Sequence, residues 1–409
     1  MVAEELGAAE VYRHTSRINV VKYQPASGLL YCGTHDGRIL GLDVAAGFRL
    51  VLDIETGLSS VAGLDVHAAE PIVAVSGQGT HQAWDCARKV RLFHESYSPY
   101  DQNPGDDGFC LRFHVPSPGA PASDWVLFGS FGDFVARNVH TGEKRPLFVG
   151  SDYNVWIAFH PAGDLGVASC LEPQDSTFFG LFDFNPNADR VIPYTAPLIR
   201  FEPVEGAAPD LTMDVPAYCV FSPDGDYLVT AWANMNLMQT RAEIEEMGAL
   251  VGVLSVYRFP ECDLLHEIPI LGRREDMLEY EGYDQQTGKP EPVYGTPGFV
   301  SNLVLLGSGG IVAACGTPGG RVVLIDWVKG EVIQQPLLHE GEVSSVETIS
   351  LTEVVSAGQD GRVVLLDSKE FLQTSGLPKA TAADALAEAG RRKQEFLEKA
   401  VAGSDSFYA

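Results

Sequence analysis

Short apolar runs alternate with tight turns along most of the chain, and three stretches repeat one pattern closely. They read GTHDGRILGLD (33–43), GTPGGRVVLID (316–326) and AGQDGRVVLLD (357–367), each a glycine-containing turn followed by an apolar run that ends in Asp. Weaker copies end at Asp85, Asn138, Asp183 and Tyr257. Short apolar runs bounded by turn residues are typical of buried β-strands. The pattern therefore predicts an all-β fold with seven repeats.

The spacing of the copies indicates how many strands each repeat contains. Their last residues lie 42, 53, 45, 74, 69 and 41 residues apart. The short intervals match a unit of roughly 40–45 residues with four strands, and the longer intervals require insertions. A second motif, an apolar run that stops before Pro, opens several units, as in CLRFHVP (110–116) and VWIAFHP (155–161). His114 and His160 occupy the same place in these two motifs, so we interpret both as strand-end residues.

These motifs resemble the WD40 repeat family. The stretches FSPDGDYLVTA (221–231), HEGEVSSVETI (339–349) and SAGQDGRVVLLD (356–367) are similar to its consensus, and the resemblance extends over roughly residues 10–372. It implies a seven-bladed β-propeller, in which four-stranded sheets close into a ring and leave no long sheet edge exposed. The resemblance is informative about architecture and says little about a particular function.

Members of this family often join His, Ser or Thr, Asp and Trp side chains by hydrogen bonds within one blade. In the last repeat three positions match, at His339, Ser356 and Asp360. In the first repeat two match, at His14 and Asp36. The departures are Leu366 in the last repeat and Cys32 and Leu42 in the first. The resemblance therefore assigns a structural role within their blades to the matching residues.

The two ends of the repeat region complement each other. The last repeat has only three predicted strands, at about 343–349, 353–357 and 362–367, while AEVYRH (9–14) precedes the first complete repeat. We expect this N-terminal strand to close the last blade. Residues 1–372 then form the propeller, and residues 373–409 form a linker and a helical tail. The tail is rich in helix formers over 381–403, which predicts a C-terminal helix.

Four extra segments depart from the repeats. Three join one repeat to the next, at 94–108, 195–215 and 270–299, and the fourth, 234–248, interrupts the turn after the second strand of the fifth repeat. In a WD40-like propeller all four open on the same face. Together they carry −12 of the chain's net charge of −27, counted from Lys, Arg, Asp and Glu. Long loops in compact domains usually carry function, so we interpret this acidic face as the working surface.

The insertion 234–248 contains three of the six methionines and predicts a short helix in blade five. Flexible, methionine-rich helix faces recur at protein-binding surfaces. Its candidate partner-binding residues are Met235, Leu237, Met238, Arg241, Ile244 and Met247. The alternative is that the helix packs against its own propeller, and the sequence leaves both interpretations open.

Composition indicates which kinds of binding partner and which cellular compartment to expect. A net charge of −27 argues against nucleic acid, because phosphate binding requires a basic face. The chain has no apolar run of about 18 residues and no apolar segment at its N-terminus, so we expect neither a membrane span nor a secretory signal. The seven cysteines form no Cys-x-x-Cys pair, which favours reduced thiols in the cytoplasm and argues against a structural zinc site.

The sequence has no convincing catalytic constellation. It lacks a phosphate-binding P-loop, a Gly-x-Ser-x-Gly elbow and a His-Glu-x-x-His motif, and we expect no catalytic residue, cofactor or metal site. The predicted first strands begin with polar residues but no carboxylate, at Asn19, Ser60, Asn154, Asn302 and Ser345. We therefore favour a non-catalytic platform that binds one or more proteins or peptides, with basic partners as one option. The alternative is a propeller enzyme of the metal-dependent lactonase or hydrolase type.

Overall fold

Antiparallel strand pairing organises the computed structural model of this protein. The residues that it describes are 7–96, 111–129, 133–149, 153–172, 176–186, 197–200, 218–232, 239–259, 261, 263–274, 277–283, 290–295, 300–307, 310 and 312–369. Within these ranges the strands form seven four-stranded sheets and one three-stranded sheet. The expected all-β class is confirmed.

The first three sheets follow one another along the chain, each with its four strands paired in sequence order. Sheet 1 contains β2 (Ile18–Gln24), β3 (Leu29–Thr34), β4 (Arg38–Asp43) and β5 (Arg49–Glu55). Sheet 2 contains β6 (Gly63–Val66), β7 (Ile72–Gly77), β8 (Thr80–Asp85) and β9 (Val90–Ser96). Sheet 3 contains β10 (Leu111–Phe113), β11 (Trp125–Gly129), β12 (Asp133–Asn138) and β13 (Lys144–Val149).

The next three sheets continue this order, with one interruption in sheet 5. Sheet 4 contains β14 (Tyr153–Phe159), β15 (Leu165–Glu172), β16 (Ser176–Asp183) and β17 (Pro197–Arg200). Sheet 5 contains β18 (Tyr218–Phe221), β19 (Tyr227–Trp232), β21 (Ala249–Arg258) and β22 (Asp263–Gly272). Sheet 6 contains β25 (Val304–Leu306), β26 (Val312–Gly316), β27 (Val322–Asp326) and β28 (Glu331–Gln334).

Sheet 7 joins the two ends of the repeat region. Its strands are β29 (Val343–Thr348), β30 (Glu353–Gly358), β31 (Arg362–Asp367) and β1 (Ala8–Arg13). Strand β1 pairs antiparallel with β31 over its whole length, with a bulge between Glu10 and Tyr12. The expected strand at 9–14 thus supplies the fourth strand of the last sheet.

The residues that marked the repeats in the sequence end the third strands of the seven sheets. Six of them are the last residue of a third strand, and Tyr257 is the last but one of β21. The Asp side chains hold the turns that follow: Asp43 Oδ1 accepts a hydrogen bond of 3.1 Å from a backbone N–H three residues on, and Asp326 Oδ1 accepts one of 3.0 Å in the same way. This turn chemistry explains why Asp recurs at these positions.

The three-stranded sheet lies in the segments that the sequence analysis took for an insertion and a loop. Its strands are β20 (Gln239–Thr240), β24 (Pro290–Gly295) and β23 (Leu278–Tyr283), and β20 leads directly into the helix α1 (Arg241–Met247). The expectation that 270–299 is a plain connecting loop is therefore wrong, because it contains two paired strands and the end of β22. Strand β17 likewise occupies part of 195–215.

Apolar side chains fill the space between each sheet and the next. Within the described residues, seven hydrophobic clusters each draw on two neighbouring sheets. One of them joins the last sheet to the first, where Ile18 and Leu40 of sheet 1 pack with Val355 and Val363 of sheet 7, all fully buried. Complete burial of such a side chain stabilises the fold by about 1.5–3 kcal/mol.

Polar side chains join the first strands of neighbouring sheets. Asn19 Nδ2 in β2 donates to Ser60 Oγ, before β6, at 3.0 Å, and the Val21 N–H in β2 donates to Ser345 Oγ in β29 at 3.2 Å. Asn302, just before β25, exchanges two hydrogen bonds of 2.6 and 2.8 Å with the backbone of β29. The polar residues that the sequence placed at first-strand starts are therefore engaged in contacts between sheets.

A second series of contacts continues through sheets 2 to 5. Asp65 Oδ2 in β6 accepts a hydrogen bond of 2.7 Å from the Phe113 N–H in β10. Arg112 Nε donates to a carbonyl of β14 at 3.3 Å, and its guanidinium lies 4.1 Å from the Trp156 ring. Trp156 Nε1 in turn donates to a carbonyl of β18 at 2.8 Å. Asp65 was not among the polar residues predicted from the sequence, and the side chain of Asn154 lies outside the described residues.

Two other expectations concern the limits of the fold. The predicted C-terminal helix over 381–403 lies outside the described residues. None of the helices in the described part of the chain is long and apolar enough to cross a membrane.

Removing β1 tests the closure of sheet 7. We expect deletion of residues 1–13 to lower the free energy of unfolding by about 3 kcal/mol or more, because Val11 and Tyr12 lose their contacts with the cluster between sheets 7 and 1. The bared edge of β31 should also promote self-association. Thermal unfolding and light scattering measure both effects. Deletion of residues 1–6 is the control, and equal stability of both truncated proteins would contradict the closure.

Candidate functional site

The insertion in sheet 5 folds into a helix with well-defined ends. The Thr240 side chain accepts a hydrogen bond from the Glu243 N–H at 3.3 Å, and Glu243 Oε2 accepts one from the Thr240 N–H at 2.6 Å. This reciprocal capping box satisfies two N–H groups at the start of α1. At the other end, Gly248 has φ 88° and donates to the Ile244 carbonyl at 2.9 Å.

One side of α1 packs inward. Ile244 is 9% exposed and forms a small hydrophobic cluster with Ala249, Met277 and Tyr294. The Arg274 guanidinium covers the Tyr294 ring at 4.7 Å and donates to the Tyr294 hydroxyl at 2.7 Å. The expectation that Ile244 contacts a partner is therefore corrected, because this residue holds α1 against the segment that contains β23 and β24.

The other candidate partner-binding residues have different positions. Arg241 is exposed and forms an ion pair of 2.8 Å with Glu245 along the helix. Met247 is the last residue of α1, but its side chain lies outside the described residues, as do all atoms of Met235, Leu237 and Met238. Their proposed contacts with a partner stay predictions.

The three-stranded sheet presents an apolar strip that the sequence analysis did not identify. Leu278 and Tyr280 of β23 are 48% and 41% exposed. Val293 lies opposite Tyr280 in β24, so it shares this face, whereas Tyr294 points the other way, towards α1. We call Leu278, Tyr280 and Val293 the outer strip. The alternation of apolar and acidic residues in LEYE (278–281) was its only signal in the sequence.

The residues that match the WD40 pattern in the last repeat lie together in a buried hydrogen-bonded group. His339 Nδ1 lies 3.0 Å from Asp360 Oδ1, and His339 Nε2 lies 2.8 Å from Ser356 Oγ. Burial lowers the pKa of His339, against the influence of the Asp360 carboxylate. Burial alone would raise the pKa of Asp360, but hydrogen bonds from His339, the Glu340 N–H and Arg362 outweigh it and lower the pKa to about 2.

The corresponding group in the first repeat is looser. His14 Nε2 lies 3.4 Å from both carboxylate oxygens of Asp36. Thr34 Oγ1 donates to Asp36 Oδ1 at 2.5 Å, whereas the position of Ser356 is occupied by the buried Cys32. Burial opposes ionisation of Asp36, yet the hydrogen bonds from Thr34 and His14 still lower its pKa.

Residues at the ends of first strands contact the following sheet. His114 Nε2 in sheet 3 lies 3.0 Å from Asp164 Oδ1 in sheet 4, and His160 Nε2 lies 3.3 Å from the Gly225 carbonyl in sheet 5. Gln24 Nε2 at the end of β2 donates to the His67 carbonyl in sheet 2 at 2.5 Å. Each contact reaches the turn between the first and second strands of the next sheet. These turns in sheets 2, 4 and 5 therefore lie on one face, opposite the insertion.

A cluster on this second face could hold a metal ion. Glu70, Asp124 and His140 place one ligand atom each within 4.8 Å of the others. His67 is buried beside them, with its Nε2 3.5 Å from Asp124 Oδ1. Burial lowers the pKa of His67, partly offset by Glu70 and Asp124. The sequence contains no motif for this cluster, because its members lie far apart in the chain and meet only when sheets 2 and 3 pack together.

Models of known protein families give no match to this chain, and neither do curated proteins. Its function therefore has to be inferred from its own residues and their arrangement.

Exchanging Asp360 for Asn tests the buried group in sheet 7. The pKa of Asp360 is lowered from 3.8 to about 2 in the folded protein, so its ionised form stabilises the fold above pH 4. That contribution, about 2 kcal/mol, is lost as the pH falls from about 4 to about 2. We expect D360N to lower the free energy of unfolding by about this amount at pH 7 and less near pH 2.

Denaturant unfolding at several pH values measures this difference. D36N is the matched control, since Asp36 occupies the same repeat position but is 44% exposed and has a longer contact with its histidine. An equal effect of the two substitutions at pH 7, or a constant effect of D360N down to pH 2, would contradict the assigned role of Asp360.

Proposed function

We propose that the seven four-stranded sheets form a WD40-like seven-bladed β-propeller and that the protein is a non-catalytic platform for binding other proteins. Three observations support the architecture. Hydrophobic clusters join each described sheet to its neighbours, β1 completes the last sheet, and His339, Ser356 and Asp360 form the hydrogen-bonded group that the family resemblance implies.

The outer strip carries the functional proposal. An insertion between the second and third strands of a sheet adds surface without disturbing the ring, and here the added sheet has a small core of its own. That core fixes Leu278 and Tyr280 in place, half exposed, on strand β23 at the border of the added sheet. Rigid apolar residues on a border strand suit the addition of an extended segment from a partner.

The charge of the same face favours a basic partner. The four extra segments hold −12 of the net charge. Complementary charge accelerates association and disfavours acidic partners, while the apolar residues supply most of the affinity. We propose a protein or peptide with basic residues that flank an apolar segment.

The polar residues of the first strands argue against the alternative, a metal-dependent lactonase or hydrolase that uses the central channel. Asn19, Asn302 and Ser345 form hydrogen bonds with neighbouring sheets.

We also propose a cytoplasmic location. The cysteines whose side chains are described, Cys32, Cys86, Cys219 and Cys315, are buried free thiols, and burial raises the pKa of Cys86 and Cys315 to about 12.

Replacing Leu278 and Tyr280 together by Asp tests the platform. We expect the variant to keep the stability of the wild type and to retain at least tenfold less partner in affinity capture from a lysate of its own cells, because buried apolar contacts dominate binding energy. Quantitative mass spectrometry of the captured proteins measures the change.

The matched control replaces Val115 and Leu351 by Asp. These residues are 43% and 64% exposed in turns between first and second strands, so the control adds the same charge on the opposite face. The control should retain as much partner as the wild type does. Retention by the wild type should fall as the salt concentration is raised, because salt screens the attraction between opposite charges. Equal retention by the wild type and both variants would contradict the outer strip as the docking site.

A further inference from the structure

Three potential metal ligands converge at the junction of sheets 2 and 3. Glu70 lies in the turn between β6 and β7, Asp124 directly precedes β11, and His140 lies in the turn between β12 and β13. His140 Nε2 is 3.6 Å from Glu70 Oε2 and 3.8 Å from Asp124 Oδ1. All three side chains are partly exposed, so an ion from solution can reach them.

The distances suit a shared ion better than direct hydrogen bonds. Hydrogen bonds between nitrogen and oxygen measure about 2.7–3.2 Å, so His140 is too far from both carboxylates. Zinc–ligand bonds of about 2.0–2.2 Å place two ligands of a tetrahedral site roughly 3.3–3.6 Å apart. Small side-chain rotations would therefore bring the three ligand atoms into one coordination sphere.

We propose that Glu70, Asp124 and His140 bind one divalent transition-metal ion, with Zn²⁺ as the occupant. One imidazole nitrogen with two carboxylates is a ligand set that Zn²⁺ accepts, whereas Mg²⁺ and Ca²⁺ prefer oxygen alone. The two carboxylates balance the charge of the ion. Because the three ligands are partly exposed, water can complete the coordination of the ion. No metal site was expected from the sequence, since no two of these ligands belong to one motif.

The buried His67 is an independent indication of a ligand. Its Nδ1 accepts hydrogen bonds from the backbone N–H groups of Ala69 and Glu70, at 3.2 and 2.9 Å, so the ring proton of the neutral imidazole resides on Nε2. That Nε2 is buried and makes no hydrogen bond within the described residues, although it lies 3.5 Å from Asp124 Oδ1. A buried donor without an acceptor is unfavourable.

Metal binding would satisfy this donor. A carboxylate that binds a metal is itself usually held by a hydrogen bond from a second residue. If Asp124 turns towards the ion while it accepts a hydrogen bond from His67 Nε2, both groups gain a partner. His67 is then a positioning residue for Asp124, and its bond to the Glu70 N–H links it to a second ligand.

Hydrogen bonds hold the backbone segments that carry the three ligands in place before any metal binds. The Val139 N–H donates to the Asp124 carbonyl at 2.9 Å, which joins the segments that carry Asp124 and His140. Asn138 Oδ1 accepts the N–H of His140 at 3.0 Å and closes the turn. Gln24 Nε2 donates to the Glu70 carbonyl at 2.6 Å. The three ligands are therefore presented by fixed turns, which lowers the ordering cost of binding.

Calorimetric titration of the full-length protein, freed of metal by a chelator, tests the proposal. We expect saturable binding of Zn²⁺ and no comparable binding of Mg²⁺. H140A and D124N should each weaken the affinity at least tenfold or abolish the binding, with unchanged thermal unfolding of the metal-free protein. The matched control is H266A, which removes an exposed histidine of β22 and should leave the affinity unchanged.

A second measurement separates this site from adventitious binding elsewhere. Bound Co²⁺ should give visible absorption bands that H140A removes and H266A keeps. Two outcomes would overturn the proposal: no saturable Zn²⁺ binding, or binding and Co²⁺ bands that survive in both H140A and D124N. Preference for Mg²⁺ over Zn²⁺ would overturn the assignment of a transition metal.

Discussion

The fold depends on contacts between the first strands of neighbouring sheets. A four-stranded sheet in this chain has two apolar faces, so it is stable only between two neighbours. Apolar clusters provide the energy of that packing, and polar groups such as Asn19, Asp65 and Ser345 set its register through hydrogen bonds to the next sheet. In a series of such sheets, the first and the last each keep one apolar face uncovered unless they pack against each other. The hydrogen bond from the Val21 N–H to Ser345 Oγ joins these two sheets.

The proposed ring has two separate faces. Turns between the second and third strands lie on one face, and there the chain carries α1, the added sheet and the outer strip. Turns between the first and second strands lie on the other, and there His67, Glu70, Asp124 and His140 meet. Partner docking and metal binding, as proposed, therefore use opposite faces and can be altered independently.

Patterns that repeat along the chain were readable from the sequence, whereas contacts between distant segments were not. The Asp residues that end third strands and the strand at 9–14 were predicted because turn chemistry and strand periodicity are local. Strands β23 and β24 were missed, because they pair with each other and with β20 outside the repeating pattern. Ile244 was a candidate for partner binding but is buried, since a helical pattern shows which residues are apolar but not what covers them. The cluster of Glu70, Asp124 and His140 exists only through the packing of two sheets.

Amide hydrogen exchange of residues 8–13 is the most direct test of whether β1 closes the proposed ring. An outermost strand donates alternate N–H groups to its neighbour, so about half of these amides should exchange slowly. The fourth strand of sheet 1, Arg49–Glu55, occupies the equivalent position and is the internal standard. If β1 is paired with β31, both segments should be protected to a similar degree. Exchange of residues 8–13 as fast as an unstructured peptide, beside a protected Arg49–Glu55, would contradict it.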